Sequence, residues 1–199
     1  MRRNSGRSAR AGVVLPIRSF LLGKARLAPE LGDEARAALG RRLADRVAGA
    51  AALYPMVVVT SAPEVRAWAV DRHCAVLDDP GSLDAAAALG YQRMGAAGVD
   101  RVLVVHGDLA RARSFERLAA DGVRPVVALV PCHRDDGTNV LSLPVGTDFR
   151  FGYGPGSFRR HAAEARRLGL AVRVVRDPEL AFDVDLPEDL AALEALTRA

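Results

Sequence analysis

Lysine is almost missing from this chain: among 28 basic residues, Lys24 is the single one that is not arginine. Cysteine is as scarce. Cys74 and Cys132 show no metal-ligand spacing and are weak evidence for a disulfide, so both read as small core or strand residues. No apolar run approaches the roughly 20 residues that a membrane span needs, which excludes a membrane protein of helical type. Aromatics make up 5% of the sequence and the arginines are scattered among acids, which argues against a nucleic-acid face despite a net charge of +4. A small anionic substrate accounts for the basic balance equally well. Internal repeats and low-complexity linkers are also absent. The first ten residues carry four arginines, and no apolar segment of signal-peptide type follows them. Residues 1–11 read as a disordered N-terminal segment of a cytoplasmic protein, and residues 12–199 as one domain large enough to bury its own core.

What is present is organised around Val102-Leu103-Val104-Val105-His106-Gly107-Asp108. Four apolar residues in a row predict a strand buried on both faces, the mark of a parallel sheet. Ligands of such sheets bind beyond the carboxyl ends of the strands, where Asp108 stands. Further strands are predicted at Gly12–Ile17, Met56–Thr60, Cys74–Leu77, Pro125–Val130, Val140–Leu143 and Leu170–Val175. Helices are predicted from Asp33 to about Leu53, from Pro63 to Arg72, after a Ser82 cap to Ala97, from Ser114 to Asp121 with Gly122 as its stop, from Ser157 to Gly169, and from Pro187 onward. Strands alternating with helices imply right-handed βαβ units and an α/β fold.

Three stretches carry chemistry. The loop after the first strand holds Arg18, Gly23, Lys24 and Arg26, cations around a glycine that suit a triphosphate, although a solvated basic loop has the same composition. Gly152-Tyr153-Gly154-Pro155-Gly156-Ser157 exposes backbone amides ahead of a helix, as either an anion site or an ordinary Ser cap. In extended chain Asp183 and Asp185 point to the same side. Joined by Asp108 they form an oxygen-ligand cluster suited to Mg²⁺ rather than to a thiolate-loving metal.

The order and spacing of Pro16-Ile17-Arg18, Gly23-Lys24-Ala25-Arg26-Leu27, His106-Gly107-Asp108-Leu109, Asp136-Gly137-Thr138-Asn139, Tyr153-Gly154-Pro155-Gly156-Ser157 through His161, and Asp183-Val184-Asp185-Leu186-Pro187-Glu188-Asp189 resemble the 2-phospho-L-lactate and phosphoenolpyruvate guanylyltransferases of coenzyme F-420 assembly. The resemblance covers about Gly12 to Leu196. It implies a single-domain Rossmann-related, glycosyltransferase-A-like nucleotidyltransferase fold with a mostly parallel central sheet. It also implies GTP as donor, Mg²⁺ as cofactor and a three-carbon phosphorylated carboxylate as acceptor, with a homodimer compatible. Carried over residue by residue, Asp108, Asp183 and Asp185 would hold metal. Thr138, Gly154 and Ser157 would hold the acceptor, and Pro16, Arg18, Lys24, Arg26 and Asp84 would contact the nucleotide. Lys24, Arg26 and Asp108 would be catalytic, while His106 and His161 receive no role. Arg18 stands where the family has lysine, Ala110 where it has proline, and Asp84 where it has asparagine. The last exchange bears on the choice of base, because a carboxylate accepts but cannot donate hydrogen bonds. A relative using CTP or another acceptor, such as a phosphonate, and a non-catalytic nucleotide-binding partner are the alternatives.

Overall fold

A computed structural model describes residues 10–120 and 125–198. Its elements run β1 (Ala11–Pro16), a 3₁₀ turn (Ala25–Leu27), α1 (Asp33–Ala50), β2 (Met56–Val59), α2 (Pro63–Val70), β3 (Ala75–Leu77), α3 (Leu83–Ala96), β4 (Arg101–Val105), α4 (Glu116–Ala119), β5 (Val126–Pro131), β6 (Thr138–Pro144), α5 (Ser157–Arg167), β7 (Ala171–Val174) and α6 (Pro187–Arg198). The seven strands form one sheet in the order β3-β2-β1-β4-β6-β5-β7. All pairings are parallel except those of β6, which runs antiparallel to both β4 and β5.

Both faces of the sheet are covered, and the residues of the central strands divide between them by alternation. Val13, Leu15, Leu103 and Val105 pack with Trp68 and Phe115 on one side. Val14, Val102 and Val104 pack with Met94 and Leu141 on the other. The four apolar residues of β4, Val102 to Val105, are all buried, as their continuous run predicts. Among the described residues no helix is long and apolar enough to cross a membrane.

Several expected boundaries move. The first strand begins at Ala11, which is buried, and Arg10 ties to Asp100 through its N–H to Oδ2 (2.9 Å) and its carbonyl to the Asp100 N–H (2.7 Å). Ala11 thus belongs to the sheet and Arg10 is bonded just ahead of it, whereas residues 1–9 and the expected stop at Gly122 lie outside the described residues. The helix expected from Ser114 is one turn, Glu116–Ala119, with the Ser114 hydroxyl accepting from the Glu116 N–H at 3.2 Å. The largest departure is β6. A strand read only as Val140–Leu143 spans Thr138–Pro144 and turns back between β4 and β5. Its short approach from β5 permits a hairpin but not a parallel crossover, which needs a dozen residues or more. Running backward, β6 starts beside the carboxyl end of β4, with Val105 opposite Val140 and the His106 N–H bonded to the Asn139 carbonyl at 3.0 Å.

Candidate functional site

The carboxyl edge of β1 and β4 carries an ion triad. Lys24 follows β1 in a left-handed conformation (φ 56°, ψ 34°), a strained setting for a side chain with a Cβ. Its ammonium lies 2.6 Å from Asp108 Oδ2 and 2.9 Å from Asp185 Oδ1. Burial alone would lower the Lys24 pKa, but Asp108 and Asp185 outweigh it and hold the ammonium above its usual range. Burial likewise opposes the charge on Asp108, yet Lys24, with help from His106, keeps that carboxyl below the ordinary carboxylate range. Asp108 Oδ1 is buried and has no hydrogen-bond partner among the described residues.

Asp183 is brought close by a backbone bridge between Leu109 and Asp183, but its side chain is engaged elsewhere. Oδ1 accepts from Asn139 Nδ2 at 3.2 Å and lies 3.3 Å from His133 Nδ1. Burial, followed by the nearby Asp108 charge, raises its pKa. The expected three-carboxylate metal cage is therefore not preassembled: among the described residues no three His, Cys, Asp or Glu side chains are placed to hold an ion. The reason is visible in the contacts, since Lys24 fills the space between two of the aspartates and the third is drawn off by Asn139 and His133. Asp189 fixes the turn between them, its Oδ2 accepting from the Asp185 and Leu186 N–H groups, both at 2.9 Å, while Oδ1 takes Arg134 Nη2 at 2.7 Å.

The glycine-rich turn is held by three side chains outside it, Arg160, Asp136 and Asp84. Gly154 has φ +94°, a conformation that favours glycine. Arg160 clamps the turn from within α5, donating to the carbonyls of Gly152 (3.0 Å), Tyr153 (2.9 Å) and Pro155 (2.6 Å). Asp136 Oδ1 accepts the Gly156 N–H at 2.9 Å, and Asp84 Oδ1 accepts the Tyr153 N–H at 2.6 Å. One oxygen of the carboxylate expected at the nucleotide, Asp84 Oδ1, is thus held by a peptide of the glycine-rich turn. Ser157 is the first residue of α5, capped by Gly156, and its hydroxyl oxygen accepts from the Thr138 N–H at 3.0 Å. Thr138, Gly154 and Ser157 thus meet, but around each other. Arg18 is exposed on the rim of the cleft, and Arg26 is exposed on the 3₁₀ turn.

His161, buried beneath this turn, accepts the Gly152 N–H on Nε2 (3.1 Å), so Nδ1 carries the proton and donates to Thr138 Oγ1 (3.0 Å). Burial pulls its pKa down from 6.5 to about 4, against a smaller opposing pull from Asp84. Between those values the unfolded chain binds the proton and the folded one does not, so this group's stability is complete above pH 6.5 and is lost as pH falls toward 4. The expected loss is about 3 kcal/mol. Thermal unfolding across that window should show it, and His161→Gln, which can also accept and donate, should flatten the slope. An unchanged slope in the variant would remove His161 from this role.

Of these residues, Asn139, His133, Asp189, Asp136 and Arg160 had no assignment in the sequence. Asn139 and Asp136 lie within a quoted motif, and Asp189 stands four residues past Asp185 at a helix start, where a carboxylate reaches back to free N–H groups.

A family model described as guanylyl transferase CofC like matches residues 11–195. A phosphoenolpyruvate guanylyltransferase of Sphaerobacter thermophilus is 34% identical over 187 residues, covering 90% of each chain. A 2-phospho-L-lactate guanylyltransferase of Halorubrum lacusprofundi is 36% identical, covering 85% of this chain and 78% of its own. Among solved structures, a protein of Desulfovibrio desulfuricans assigned as a nucleotide-diphospho-sugar transferase superposes with a TM-score of 0.77 at 17% identity, covering 96% of this chain and 88% of its own. The fold is that of the nucleotide-diphospho-sugar transferases, and this chain, a nucleotidyltransferase, belongs to the CofC-like guanylyl transferase family.

Proposed function

We propose that this protein transfers GMP from GTP to a three-carbon phosphorylated carboxylate, phosphoenolpyruvate or 2-phospho-L-lactate, with release of pyrophosphate, as a step of coenzyme F-420 assembly in the cytoplasm. The observation that carries the reading is the buried Lys24 ammonium held between Asp108 and Asp185 at the mouth of the sheet. Both curated relatives named above are guanylyltransferases acting on acceptors of this kind.

An oxygen of the acceptor phosphate attacks the α-phosphorus of GTP. The new P–O bond forms as the bond from the α-phosphorus to the bridging oxygen breaks, and pyrophosphate departs with the electron pair. Reactants and products are anions throughout, so the protein's work is positioning and charge neutralisation. Lys24 is the buried cation at hand for the phosphates, with Arg18 on the rim and Arg26 on the 3₁₀ turn next to Lys24. The turn around Gly154 is held in place by its own hydrogen bonds, with Thr138 and Ser157 locked beneath it, and leaves the Gly154 N–H for the acceptor.

Mg²⁺ fits the donors in chemical type, since Asp108 and Asp185 already share one cation and Asp108 Oδ1 is a buried oxygen without a partner among the described residues. Asp183 would complete the set on leaving His133. When bound, the ion would supply Lewis-acid stabilisation of the phosphate oxygens.

Purified protein incubated with Mg²⁺, each of the four NTPs, and phosphoenolpyruvate or 2-phospho-L-lactate should release pyrophosphate with GTP and with one or both acids. Release with CTP in preference to GTP, or none with either acid, would overturn the assignment.

A further inference from the structure

We propose that Asp79 is the residue that reads the guanine base. The inference rests on GTP being the donor.

Two clefts adjoin at the carboxyl ends of the central strands and share Pro16, Ile17, Gly107 and Asp108 as a common wall. One of them contains Lys24 and suits the phosphates. The other extends away from Lys24 to the start of α3. Its far end has an apolar surface from Leu83, 37% exposed on the first turn of α3, as a planar ring would use.

Two carboxylates line this second cleft, Asp79 and Asp108. Asp108 is engaged by Lys24 at the shared wall. Asp79 lies at the apolar end, after β3, and its backbone is pinned there: its N–H donates to Ser61 Oγ at 3.1 Å, and its Oδ1 accepts the Gly81 N–H at 2.9 Å. Gly81, at φ +102°, makes the tight turn that lets its N–H reach back. Asp79 Oδ2 has no hydrogen-bond or ion-pair partner among the described residues. The carboxylate is thus oriented by one oxygen and open at the other. Arg18 and His106, the other charged or titratable side chains of the cleft, stand on the β1 and β4 sides.

The chemistry selects one base. A carboxylate only accepts hydrogen bonds. Guanine presents two adjacent donors, N1–H and the 2-amino group. Adenine and cytosine pair one amino donor with a ring nitrogen acceptor that a carboxylate repels, and uracil flanks its single N–H with two carbonyls. Asp84 shares the one-oxygen engagement, with Oδ1 on the Tyr153 N–H, but it is Asp79, five residues earlier, that lines the cleft.

The test is donor competition among GTP, ITP and XTP, followed by pyrophosphate release and by direct binding of GDP and XDP. Inosine lacks the 2-amino group, so the wild type should prefer GTP to ITP by about tenfold or more, the usual worth of a hydrogen bond to a charged group. Xanthine replaces that amino group by a carbonyl that a carboxylate repels and a carboxamide can donate to. Asp79→Asn should therefore lower GTP use by about tenfold to a hundredfold and shift both assays toward the xanthine nucleotides. Oδ1 is kept in the variant, so the Gly81 turn survives. Equal use of GTP and ITP by the wild type, or an unchanged GTP-to-XTP ratio in Asp79→Asn, overturns the assignment of Asp79 and leaves the guanylyltransferase reading standing. A wild-type preference for CTP would remove that reading itself.

Discussion

Asp185→Asn should leave the melting temperature within a few degrees of wild type while lowering pyrophosphate release by about a hundredfold to a thousandfold, the usual effect of deleting one preorganised charge. The two effects separate because of exposure. The Asp185 side chain is 43% exposed, so its 2.9 Å pair with Lys24 is screened by water and worth about 0–1 kcal/mol to the fold. Its backbone is held independently by Asp189, which keeps the turn in place in the variant. Near-normal release at saturating Mg²⁺ from a folded Asp185→Asn protein would show that this carboxylate is not part of the machinery.

Lys24→Met should do both kinds of damage. The Lys24 side chain is 10% exposed and Asp108 is 20% exposed, so removing the cation strands a largely buried carboxylate. Breaking such a pair costs about 3–5 kcal/mol, which for a chain of this size lowers the melting temperature by about 10 °C. Turnover should fall by about a thousandfold or more, since no other cation among the described residues touches Asp108. The acid response should also invert. In wild type the Asp108 carboxyl is held low, so its contribution is present above the ordinary carboxylate pKa and lost as pH falls. Without Lys24, burial pushes the carboxyl up, and Asp108 then favours the folded state at low pH and loses that contribution as pH rises. Calorimetry of the variant between pH 4 and pH 7 decides it, and a wild-type melting temperature and pH slope would sink the role given to Lys24.

The sequence makes the order of elements legible because each depends on local signals: apolar runs for the strands, 3.6-residue periodicity for the helices, Ser82 as a cap that the structure shows accepting from Ala85 at 3.2 Å. Lys24 and Asp108 stand out for reasons internal to the chain, one as the single lysine and the other as the acid that ends a buried strand. What stays hidden is long-range. Nothing local says that Asp183 turns toward Asn139 rather than beside Asp185, because in an irregular segment the two-residue period is only a tendency. Asp84 and Asp79 look interchangeable as acids around one turn until the packing of Tyr153 assigns the first to a backbone N–H. His161 passes for an ordinary helix residue, and only its burial under the glycine-rich turn shows that both ring nitrogens are used.

The reversed strand β6 also decides when, during folding, the site comes into being. The β3-β2-β1-β4 half and the β5-β7 pair touch within the sheet only through β6, which is inserted between β4 and β5. Each side can gather its own neighbours, but the hairpin of β5 and β6 must dock along β4 before the halves are one sheet. That seam passes between His106 and Asn139, with Asp108 on one bank and Thr138 on the other. The site also needs the Lys24–Asp185 pair, which joins residues 161 positions apart, and contacts of such sequence separation are slow to form. Amide exchange at His106, whose N–H crosses the seam to the Asn139 carbonyl, should consequently track the closing of the two halves.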